Sequence, residues 1–174
     1  MKYLTLVIPA AISLALYLFI YRPALVSDST MSQVRYIEML HVHILVWWSA
    51  FLYLVFCLIY SFSKTSETKV FLSSGLGITL ASMVLGFWSG FVFAKQTWGV
   101  YFAWDVRFSM AVMNLMIVLC LFFFSFLADK EKFFQVGVRW GLTLALGLLI
   151  GSHLAGYFLP TQHLNSALMN IIGQ

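Results

Sequence analysis

Four histidines, His41, His43, His153 and His163, are the side chains of this chain best suited to hold a metal. Zinc would want three or four ligands, usually with cysteine or carboxylate among them. The two cysteines, Cys57 and Cys120, lie inside apolar runs and read as small buried hydrophobes. Copper would draw on thioethers, for which Met39, Met110 and Met169 are the candidates. Haem needs only two axial nitrogens and a broad apolar surface for its ring. The segment TWGVYFAWDVRFS (97–109) could supply that surface. Trp98, Tyr101, Phe102 and Trp104 are flat, and Gly99 lets a planar ligand come close. Arg107 could pair with a propionate or with Asp105. The plain alternative is an interfacial aromatic belt. A belt would spread over every outer helix end, whereas these rings are concentrated in one segment. No nucleophile–base pair or redox thiol is present, so the chemistry points to binding and transfer rather than to an enzyme.

The elements that must position these residues are apolar helices. The 174 residues are 62% hydrophobic and 9% charged, with a mean hydropathy of +0.94. Soluble domains carry about 25% charge, so the composition is that of an all-α integral membrane protein of one domain. Spans of ~20 residues fit five runs, about 3–21, 38–62, 70–94, 107–128 and 135–158. The first resembles a signal peptide, but its apolar stretch is long and no small-residue cleavage site follows, so it reads as an uncleaved helix. Pro9 within it is tolerable in a membrane. Leu164, Ala167, Leu168, Ile171 and Ile172 share one helical face. That tail is too short to span, and it predicts a short interfacial C-terminal helix.

The connecting segments set the orientation. Lys2, Lys64, Lys69, Lys130, Lys132 and Arg139 fall on one side, and Arg22, Arg35, Lys95 and Arg107 on the other. This bias predicts a cytoplasmic N-terminus and an extracytoplasmic aromatic loop over 95–106. The net charge of +4 thus reports loop placement. No basic face is visible for nucleic acid, so the expected partners are membrane lipid and a flat ligand. With five alternating spans, all four histidines fall on the face that carries the aromatic loop. Glu38, Asp105 and Arg107 fall at outer helix ends, where charge is least costly. His41 and His43 are two residues apart, ~200° around a helix, so both cannot face one ligand. Trp47, four residues after His43, shares its face.

Residues 98–105, WGVYFAWD, resemble the tryptophan-rich WWD signature of the haem-handling family of cytochrome c biogenesis, approximately W-G-x-W-W-x-W-D-x-R-L-T. Trp98, Gly99, Trp104, Asp105 and Arg107 match it in place. Tyr101 and Phe102 stand where that pattern has tryptophan, and Phe108-Ser109 stand for Leu-Thr. The approach AKQT (94–97) looks like the family's G-K-P-T, with Gln96 in place of proline. In size the chain is similar to the CcmC branch, the haem exporter protein C, whose fold has six helices. Only the short tail follows His163, where that branch has a sixth helix.

The resemblance implies haem b, held non-covalently at the extracytoplasmic face of the cell inner membrane. It implies an axial histidine in an H-V-P-x-x-W context at the outer start of the second helix, which His43 followed by ILVWW fits best. It implies a second ligand in an L-H-Q-G-S-T context after the fifth helix, where QHLNS (162–166) gives His163. His153 reads as a pocket residue or reserve ligand, and His41 as a lesser candidate. Trp98, Gly99, Tyr101, Phe102 and Trp104 would form the ring platform, with Asp105 and Arg107 fixing the loop or a propionate. A haem chaperone or apocytochrome, and an ABC-type membrane complex, are the implied partners. The alternative is a b-type membrane cytochrome in quinone-linked electron transfer, with His43 and His153 as its pair.

Overall fold

The structure, a computed structural model, describes residues 4–16, 18–19, 34–63, 68–98, 105–127 and 132–158. Side chains are described over 7–16, 18–19, 40–63, 70–95, 105–126 and 135–155. The described residues form five α-helices and no strand: α1 (Leu4–Leu16), α2 (Val34–Ser61), α3 (Thr68–Trp98), α4 (Val106–Leu127) and α5 (Lys132–Phe158). Four of them carry segments long and apolar enough to cross a membrane: Leu40–Ser61, Val70–Lys95, Val106–Phe126 and Gln135–Ala155. Of the first run, the apolar helix described is Val7–Leu16. Within it the Ser13 hydroxyl donates to the Pro9 carbonyl at 2.8 Å.

The side chains are sorted as a bilayer would sort them. Large apolar groups face outward, among them Trp140 (72% exposed), Phe123 (58%) and Val84 (57%). In water such a surface would drive aggregation; against lipid tails it costs nothing. The interior holds smaller or interlocking residues, including Ala50, Leu54 and Cys57 of α2, Leu76 and Met83 of α3, Val118 of α4, and Leu142 and Ala145 of α5. Cys57 is walled in against Gly75, while Cys120 is exposed on α4.

Helices α2, α3, α4 and α5 form a closed ring in chain order, and α1 packs outside it, mainly on α2. Neighbours run antiparallel, as short connections require. His43, Trp47 and Cys57 of α2 meet Gly90, Gly86 and Gly75 of α3, one series rising as the other falls. Likewise Met110 and Leu121 of α4 meet Gly151 and Gly141 of α5. One end of the ring therefore carries His43, the start of α4 and His153. The other end carries the α2–α3 connection and Arg139. There the Nε and Nη2 of Arg139 donate to the Ser61 carbonyl at 3.1 and 2.9 Å, and the guanidinium lies 4.6 Å from the Phe62 ring centroid. A helix C-terminus leaves orphan carbonyls with partial negative charge, and this arginine of α5 satisfies the last of those of α2.

Several helix bounds differ from the sequence expectation, the start of α5 at Lys132 rather than 135 among them. α2 begins at Val34, a turn before the expected 38, so Arg35 and Glu38 lie within it. α4 begins at Val106, with Asp105 just before it. α3 runs on to Trp98 instead of ending near 94, which narrows the connecting segment from 95–106 to 99–104 plus the cap residue Asp105. Nothing in Lys95-Gln96-Thr97-Trp98 breaks a helix, and the first breaker is Gly99. The tail over 159–174, with its expected interfacial helix, lies outside the described residues.

Candidate functional site

His43 lies one turn inside the apolar segment that begins at Leu40, rather than at the start of the helix. Its half-buried ring lies against α3. Nδ1–H donates to the Gly86 carbonyl at 2.9 Å, and the Ser89 hydroxyl stands 3.4 Å from the same nitrogen. Ser89 itself donates to the Gly86 carbonyl at 3.1 Å. A carbonyl only accepts, so Nδ1 carries a proton, and in the neutral ring Nε2 then holds the lone pair. That is the tautomer of an imidazole whose Nε2 can ligate a metal.

The seat of this ring is a pair of glycines one turn apart. A Cβ at Gly90 would fall 2.9 Å from Cε1 of His43, and one at Gly86 would fall 2.9 Å from Nε1 of Trp47. The knobs His43 and Trp47 (i, i+4) thus fit the hollows over Gly86 and Gly90 (i, i+4). Small residues at this spacing let membrane helices approach closely.

A chain of rings continues from His43 across the bundle. His43 and Trp47 meet edge to face, with centroids 6.1 Å apart. Trp47 meets Phe87 at 5.7 Å, and Phe87 meets Phe108 at 5.7 Å. Phe91 completes the cluster, 6.0 Å from Phe108 and 6.1 Å from Phe87. Three helices are joined in this way at the histidine end.

Asp105 is the N-cap of α4. Its Oδ1 accepts the Phe108 N–H at 2.7 Å, and its carbonyl accepts both the Ser109 N–H (3.0 Å) and the Ser109 hydroxyl (2.9 Å). Such a cap stabilises a helix by ~1 kcal/mol, and the carboxylate also complements the helix dipole. Of the two roles expected for Asp105, fixing the end of the aromatic loop is the one that this geometry supports. Arg107 is half-buried in the first turn of α4.

His153 is exposed on α5, where its Nδ1–H donates to the Leu149 carbonyl of its own helix at 3.0 Å. His43, by contrast, packs on α3. His41 is half-buried and does not share the glycine seat. Among the described residues no three of His, Cys, Asp and Glu group together as metal ligands. His163, Gly99, Tyr101, Phe102, Trp104 and the side chain of Trp98 lie outside the described residues.

Sequence reasoning missed Gly86, Gly90, Phe87 and Phe91. Their signal was the small-x-x-x-small spacing of GFWSG (86–90) within an apolar run. Comparison with family models, with curated proteins and with solved structures finds no match to this chain.

Proposed function

We propose that this chain is a haem-handling membrane protein of the cytochrome c maturation type. It holds haem b non-covalently at the extracytoplasmic face and passes it to a haem chaperone or an apocytochrome, without covalent chemistry of its own. In this reading α1 completes a fifth span, the N-terminus is cytoplasmic, and the membrane is the cell inner membrane. An ABC-type membrane complex would be the assembly partner.

The observation that carries the proposal is the Nδ1–H bond from His43 to the Gly86 carbonyl. An axial imidazole needs its remote nitrogen held so that tautomer and ring plane are fixed before the ligand arrives. The described half of the site fits haem in this respect, and its surroundings are aromatic and apolar. Haem would supply an iron with two axial positions on a flat ring bearing two propionates. His43 and His163 would hold the haem iron. Trp98, Gly99, Tyr101, Phe102 and Trp104 would provide the platform, and Arg107 a propionate partner. Asp105 would act one step back, by starting α4 where the platform segment ends.

The b-type cytochrome reading draws support from the placement of His43 between helices. Its proposed partner His153 is exposed and donates to a carbonyl of its own helix.

The test is an absorption spectrum of the protein purified after expression with ample haem. A Soret band in the natural chain, weakened by His43→Ala and by His163→Ala, is the expected result. No band, or a band indifferent to loss of both histidines, would sink the proposal.

A further inference from the structure

Asn114 lies near the middle of α4 with 0% of its surface exposed, and neither Oδ1 nor Nδ2 has a hydrogen-bond partner among the described residues. Five buried hydroxyls behave differently. Ser13, Thr79, Ser89, Ser125 and Ser152 each donate to a carbonyl one turn back in their own helix. A carboxamide cannot be satisfied that way. Its NH2 could reach an own-helix carbonyl, but Oδ1 needs a donor, and the N–H groups of a helix interior are already in the backbone ladder. The donor must come from outside the helix, and at this depth no lipid group supplies one.

The helix registers identify what stands level with Asn114. Phe108 meets Phe87 and Phe91, and Phe122 meets Gly77, which brings Asn114 opposite Met83. Contacts of Trp47 with Gly86 and of Cys57 with Gly75 bring Met83 opposite Ala50. On α5, contacts of Met110 with Gly151 and of Leu121 with Gly141 bring Asn114 to the stretch between Ala145 and Leu149. Ala50, Met83 and Ala145 are all fully buried, and none carries a side-chain donor.

We propose that Asn114 anchors an internal water site in the middle of the bundle. Water is the smallest molecule that offers Oδ1 a donor and Nδ2 an acceptor at once. A helix carbonyl keeps a second lone pair beside its backbone bond, and those near the small Ala50 and Ala145 side chains would complete the two to four partners that a buried water needs. Met83 is unbranched and flexible, so its thioether can move to make room. The site is independent of haem and of the histidine end.

Radiolytic footprinting of the purified full chain tests this. Radicals formed from a trapped water oxidise what they touch, and Met83 has no other access to water. The expected result is that Met83 is oxidised in the natural chain, with exposed Phe62 as the dose control. Asn114→Leu and Asn114→Ala should each abolish Met83 oxidation and leave Phe62 unchanged. A brief mix into heavy-oxygen water before exposure needs no variant at all. A trapped water leaves ordinary oxygen on Met83 while Phe62 takes up the heavy isotope. Unoxidised Met83 in the natural chain, oxidation unchanged in both variants, or heavy oxygen on Met83 as fast as on Phe62 would each overturn the proposal.

Discussion

At Gly90 a hydrogen stands where any other residue would press a carbon onto the His43 ring. The added Cβ of Gly90→Ala would lie 2.9 Å from Cε1 and 3.2 Å from Nδ1. The ring must then turn, and Nδ1–H must leave the Gly86 carbonyl. We expect a loss of about 1–3 kcal/mol, typical of overpacking, measured as a lower Tm in detergent, together with a shifted Soret band in haem-loaded protein. Gly147→Ala is the control, since nothing lies within 4 Å of its added Cβ. Equal losses in the two variants would mean that the glycine seat is not what positions His43. The shared face of His43 and Trp47 was readable from their spacing alone. Their seat was not, because it depends on which turn of α3 meets which turn of α2. Asp105 admitted two readings in the sequence: fixing the aromatic loop, or pairing with Arg107. The hydrogen bond to Phe108 favours the first.

Each of the four long helices was visible as an apolar run, because a membrane span must satisfy its backbone within one continuous segment. Their ends were less visible, since a helix stops only where the local sequence stops it. Gln96 illustrates the point. The family pattern has proline at that place, and a proline there would remove a backbone N–H from the last turns. With glutamine the helix continues to Trp98. The aromatic segment therefore starts from a helix end and finishes at a capped helix start. At the opposite end, Arg139 counted in the sequence only as one more positive charge. Its docking across the ring onto Ser61 could not be read, because it joins residues 61 and 139. Arg139→Lys keeps the charge but loses the two-pronged geometry. We expect it to lower Tm, and Arg139→Ala to lower it further. Hydrogen bonds from charged groups contribute about 1.5–3 kcal/mol each. A lysine variant as stable as the natural chain would show that charge alone, without the paired hydrogen bonds to Ser61, closes the ring.

For the molecule as a whole, the antiparallel ring puts His43 and the capped start of α4 at one end and Arg139 at the other. The charge bias of the connecting segments predicts that the Arg139 end faces the cytoplasm. Single cysteines in intact cells check this with a membrane-impermeant maleimide. Ser29→Cys should react at once, and Thr65→Cys only after the membrane is opened. The reverse pattern would overturn the orientation, and with it an extracytoplasmic haem site, while leaving the fold intact. Orientation cannot be read from the packing itself, because an antiparallel ring packs equally well either way up.

The two natural thiols bear on how such labelling is done. Cys57 is shut behind Gly75, and Cys120 looks outward from the apolar length of α4. A reagent confined to water reaches neither, so added cysteines can be read on the unaltered background. A reagent that dissolves in hydrocarbon reaches Cys120 alone. A spin probe carried there would report how deep in the bilayer that part of α4 rides.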